Sequence, residues 1–103
     1  MTTITFTRTG FKADGHAGFG ESGSDIVCAG ISAILQAGIL GIKKITPDIK
    51  VEKRDGSLIL TLPSNLDLKL LDKCGIVLDT MYLGIIDLSK QYPKHISLKG
   101  ELR

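Results

Sequence analysis

The chain has 103 residues, 43% apolar and 23% charged, with a formal net charge of +2. That length suits one compact domain over residues 1–103 and is short for two. Balanced charge, no basic run and only three Phe and two Tyr argue against a nucleic-acid surface, and the absence of low-complexity tracts argues against a disordered or fibrous chain.

Residues 3–7 alternate, with Ile4 and Phe6 on one face and threonines on the other, which predicts a strand. Thr9-Gly10 then reads as a two-residue loop into a second strand over 11–15, a register that sets Phe6 opposite Ala13 and turns Asp14 and His16 to the other face. This N-terminus is strand-like rather than signal-like, and Cys28 and Cys74 lack the spacing of a disulfide framework, so a reducing cytoplasm is expected.

Residues 17–24 carry Gly18, Gly20 and Gly23, too much glycine for regular structure, and read as a mobile loop with those glycines as its hinge set. A helix follows, capped by Asp25 or Ser24, apolar almost all round to Ile42, with Lys43 and Lys44 suited to its C-terminal dipole. It falls just short of a membrane span and holds three glycines, so a buried helix is expected, with Ala29, Ala33, Ala37 and Gly41 forming a small-residue stripe for close packing.

Pro47 ends that helix, and IKVEKRDGSLILTL predicts a hairpin on a type I′ Asp55-Gly56 loop, with Val51 opposite Leu60 and Ile49 opposite Leu62. Ser64 to Asp67 reads as a capping-box variant opening a second helix over about 66–92, whose Asp72, Asp79 and Asp87 are incompatible with a membrane span. Ile96, Leu98, Gly100 and Leu102 alternate as a closing strand. The order ββαββαβ predicts an α+β fold, two helices packed on a mixed or antiparallel sheet of about five strands.

The chemistry concentrates in DGHAGFGESGSDIVCAGIS, residues 14–32. With Asp25 as N-cap, Cys28 is the third helical residue, and its sulfur feels the positive end of the helix. A helix N-terminus and a nearby imidazolium both favour thiolate over thiol, which makes a cysteine nucleophilic at neutral pH. His16 can reach Cys28 if the glycine-rich loop folds back, and free helix N–H groups could hold the oxyanion of a tetrahedral intermediate. Ser32, one turn below Cys28, could orient the thiolate or return a hydrogen bond to a backbone carbonyl. Cys74 reads as a small core hydrophobe and His95 as a surface residue; no metal or cofactor is expected, since no pair of ligands has close spacing.

The run Gly15-His16-Ala17, a glycine-rich gap, then Gly23-x-Asp25-Ile26-Val27-Cys28-Ala29-x-x-Ser32 closely resembles the signature of the bacterial ribosomal-processing cysteine proteases, the Prp family. The resemblance implies a cytoplasmic, homodimeric cysteine endopeptidase that trims the N-terminal extension of ribosomal protein bL27 after aromatic residues. It also implies that His16 and Cys28 form the catalytic dyad, with Gly15, Asp25 and Ser32 in support. Two departures stand out: the first hairpin is short, and Gly30 takes the place of a second alanine. The competing reading is a non-catalytic ribosome-assembly factor that binds a peptide by strand addition, though such a binder needs neither His16 nor Cys28.

Overall fold

In the computed structural model, which describes residues 1–21 and 24–100, the elements run β1 (Thr2–Thr7), β2 (Gly10–Asp14), α1 (Ile26–Ile45), β3 (Lys50–Arg54), β4 (Ser57–Thr61), α2 (Leu68–Gln91) and β5 (Ile96–Gly100). The strands form one mixed sheet in the order β3-β4-β2-β1-β5, antiparallel except for the β1–β5 pair. Both helices contribute to a single core with one face of the sheet: Val27, Ile31, Leu35 and Ile42 from α1 and Leu78, Met81 and Ile85 from α2 join Ile4, Phe6, Phe11 and Leu60. Alternation leaves Thr3, Thr5, Lys12 and Ile59 on the opposite face. The element order and the α+β architecture match those expected from the sequence.

The first hairpin turns one residue earlier than the glycine suggested. Its two-residue loop is Arg8-Thr9, so Phe6 faces Phe11 and Ala13 faces Ile4. Gly10 is needed inside the ladder instead: its φ is +155°, and a Cβ there would collide with the Leu60 carbonyl of β4. The second hairpin keeps the expected Val51–Leu60 pairing, but its ladder stops at Lys50–Thr61, leaving Ile49 and Leu62 outside. Its loop is not type I′, because only Gly56 has positive φ and Asp55 does not.

α1 begins after an Asp25 N-cap and runs to Ile45, with Lys43 and Lys44 in its last turn and Thr46 as C-cap just before Pro47, as expected. It is long and apolar enough to cross a membrane, yet here it buries one face only. Ala29, Ala33 and Ala37 lie on the exposed side together with Ile26 and Leu40, so this stripe does not make the close contact. The helices approach at Gly38, where a Cβ would strike the Met81 thioether, and at Gly84, which faces Ile34. α2 is capped by Asp67, whose carboxylate accepts the Leu70 N–H at 2.9 Å, rather than from Ser64. Leu102, placed by sequence in the closing strand, lies outside the described residues.

Candidate active site

Five strand ends meet at one edge of the sheet: β1 and β5 start there, β2 and β3 end there, and β4 begins there. Gly15 N–H donates to the Gly56 carbonyl at 2.7 Å, extending the β2–β4 ladder by one step, and Thr2 N–H donates to the His95 carbonyl at 2.9 Å. Gly15 has φ +93°, and a Cβ would stand 2.6 Å from the Met1 carbonyl oxygen, so only glycine fits immediately before His16. The N-terminus of α1 closes the same end, and His16, Cys28 and Ser32 line one cleft together.

Asp25 organises the helix start. Its Oδ1 accepts Val27 N–H at 2.9 Å and Cys28 N–H at 3.0 Å, while Oδ2 reaches outward to Phe19 N–H at 2.9 Å and Gly20 N–H at 3.1 Å. One carboxylate thus caps the helix and ties down the glycine-bearing segment before it. The Cys28 N–H, aided by those of Gly20, Phe19 and Val27, holds its pKa below the ordinary carboxylate value, against the opposing effect of burial.

A lowered native pKa means the carboxylate contributes stability above its unfolded value, which is lost as pH falls through the native one. The melting temperature of the protein should therefore exceed that of Asp25→Asn most above about pH 5 and converge with it below about pH 4. A gap that stays constant from pH 7 to pH 3 would show that ionisation of Asp25 is irrelevant to the fold.

Cys28 is the third residue of α1 and half-buried, and its Sγ accepts the Ala17 N–H at 3.3 Å. The segment following His16 is therefore folded back onto the helix start. His16 itself makes no hydrogen bond to Cys28 here; its Nε2 lies 3.7 Å from Asp55 Oδ1, with the two side chains 60% and 98% exposed. At that exposure the pair contributes little energy.

Beside His16 and Cys28 the cleft opens into a cavity of about 240 Å³ with an apolar floor of Ala13, Ile31, Leu35 and Leu58. Across its mouth Lys53 Nζ donates to Gln36 Oε1 at 3.3 Å, and Gln36 Nε2 donates to Ser32 Oγ. The Ser32 hydroxyl oxygen thus accepts from Gln36, one turn further along α1. The Cys28 amide is committed to Asp25, as the cap position predicts, and so is that of Val27; neither is among the free helix N–H groups that could hold an oxyanion. Gly18 and Gly20 lie in the segment before α1, Gly18 with φ +72°; Gly23 lies outside the described residues.

Two contributors escaped the sequence. Gly56, at the β3–β4 turn, has φ +71°, and a Cβ there would stand 3.1 Å from His16 Nε2, so the turn forms the seat of the imidazole. Gly56→Ala should cost about 1 kcal/mol in backbone strain and displace the ring, lowering kcat/KM about tenfold; unchanged peptide cleavage would deny the turn this role. His95 is the other. Half-buried rather than on the surface, its Nδ1 lies 2.8 Å from the Ala17 carbonyl oxygen.

A cysteine at a capped helix start, sharing a cleft with a strand-end histidine on an α+β sheet, has the form of a thiol hydrolase. The family model described as cysteine protease Prp matches residues 1–97. The chain belongs to this family of cysteine proteases. It is 35% identical over 89 residues to the ribosomal processing cysteine protease Prp of Staphylococcus aureus strain Mu50, spanning 82% of this chain and 79% of that one. It is 33% identical over 104 residues to the Mycoplasma genitalium protein of the same name, spanning 98% and 97%. The crystal structure of S. aureus Prp in complex with a covalently linked product peptide matches with a TM-score of 0.79 at 28% identity, over 97% of both chains.

Proposed function

We propose that this cysteine protease acts in ribosome biogenesis, removing the N-terminal extension of ribosomal protein bL27 with Cys28 as nucleophile and His16 as general base and then acid. The observation that carries the reading is the seat of Cys28 Sγ: third residue of a capped helix, with the Ala17 N–H directed at it and His16 lining the same cleft. The helix N-terminus and that N–H both turn positive partial charge toward the sulfur.

His16 takes the thiol proton as Sγ attacks the scissile carbonyl, and the tetrahedral intermediate collapses to an acyl-enzyme as His16 protonates the leaving amine. Water, deprotonated by the same ring, then releases the acid product and restores the thiol. The apolar cavity beside Cys28 has the size and lining for the aromatic side chain before the cut. Gly15, Asp25 and Ser32 act in support, through the turn before His16, the helix cap and the Gln36 bridge.

The names and the product complex of the relatives support a peptide substrate from a ribosomal protein. The same reading places the chain in the cytoplasm as a homodimer, and the exposed Ile76 and Leu83 of α2 offer apolar surface for a second copy. Incubating the chain with full-length bL27 precursor and reading the new N-terminus by mass spectrometry tests the assignment. One cut after an aromatic residue is expected, and Cys28→Ala should leave the precursor intact; processing by both proteins, or by neither, would overturn it.

A further inference from the structure

His95 stands 78 positions from Ala17 in sequence, and the β1–β5 pairing brings them together. A carbonyl oxygen can only accept, so His95 Nδ1 carries the hydrogen and donates it to Ala17 at 2.8 Å. Ala17 is 1% exposed, and its own N–H points to Cys28 Sγ. One residue is therefore held on both sides, its carbonyl by His95 and its amide on the sulfur. The neighbouring contacts act in the same direction. The Phe19 ring meets His95 and Tyr92 edge-on, each with centroids 5.3 Å apart, and Asp25 Oδ2 holds the Phe19 and Gly20 amides.

We infer that His95 is a positioning residue for the nucleophile, acting through the Ala17 peptide to keep one N–H donor directed at Cys28 Sγ. The inference rests on the reading of Cys28 as nucleophile. His95 touches no reacting atom. It fixes a segment rich in glycine that would otherwise sample many conformations, so that the donor to sulfur is in place before a peptide arrives.

Asparagine and glutamine at position 95 separate this role from simple packing, because an Asn amide can place its Nδ2 near the site of His Nδ1, whereas a Gln amide lies one bond further out. In His95→Ala, alkylation of Cys28 by iodoacetamide at pH 7 should slow about threefold, within the worth of one hydrogen bond. Amide exchange at Ala17 should quicken, and kcat for peptide cleavage should fall about tenfold with KM little changed. His95→Asn should restore most of each and His95→Gln should not, with Cys74 unreactive throughout as the sign of an intact fold. Unchanged alkylation and Ala17 exchange in His95→Ala would overturn the inference, and should that variant fail to fold, equal behaviour of the Asn and Gln variants would do so. Neither readout needs a substrate, so a failure of the nucleophile assignment would show separately, as cleavage surviving in Cys28→Ala.

Discussion

Cys28→Ala should abolish peptide cleavage while leaving substrate affinity within a few-fold of the original. The side chain loses its sulfur and with it the Ala17 N–H contact, but the helix cap is made by Asp25 to backbone amides, and the 17–20 segment keeps its ties to Asp25 and His95. Without the sulfur no acyl-enzyme forms, and loss of a covalent nucleophile removes a factor of about 10⁴ or more in kcat. Calorimetric titration with a peptide spanning the cut site would read the retained binding, and a discontinuous cleavage assay the lost turnover. Residual cleavage within tenfold of the original would assign the chemistry to another group. Loss of binding together with turnover would mean that Cys28 had been supporting the cleft rather than reacting.

The largest stability effect belongs to the floor of that cleft. Leu35 sits two turns along α1 from Cys28, is 1% exposed and contacts both the core and the cavity beside the site. Truncation to alanine removes buried apolar area and leaves a void that the surrounding helix and sheet can fill only partly, which costs about 3 kcal/mol and lowers Tm by more than about 10 °C. Leu40→Ala on the same helix, at a side chain 70% exposed, is the matched control and should stay within about 0.5 kcal/mol. Denaturant titration of the pair reads the difference. Equal losses at both positions would contradict the packing of α1 described above.

Local patterning carried most of the architecture. The alternation in β1, the Asp-Gly turn between β3 and β4, the Asp25 cap and the two prolines after the helices all act between near neighbours, so they are legible before any tertiary contact is known. Where the structure departs from local pattern, a non-local contact prevails. Gly10 looked like a turn residue, but its missing side chain serves the passage of the Leu60 carbonyl, which only the β2–β4 pairing reveals. The alanine stripe of α1 looked like a packing surface, yet Gly38 facing Met81 sets the helix–helix approach and turns those alanines outward.

The candidate site divides in the same way. His16, Asp25 and Cys28 lie within thirteen residues, and cap geometry alone places Cys28 at the helix start. His95 and Gly56 are brought in by the sheet, the first through the parallel β1–β5 pair and the second through the Gly15–Gly56 hydrogen bond. No spacing rule could have reached them. Ser32 stands between these cases: its place on the helix was legible, whereas its partner Gln36 competes with the roles a serine can take alone.

Activation of Cys28 Sγ by its place at the α1 start together with His16 is an expectation that selective alkylation decides. Iodoacetamide applied across pH 5–9 and read by peptide mass spectrometry should modify Cys28 faster at neutral pH than a free cysteine peptide, slow down in His16→Ala, and spare Cys74, which is 0% exposed. A Cys28 rate equal to that of the free peptide, and indifferent to His16→Ala, would contradict it.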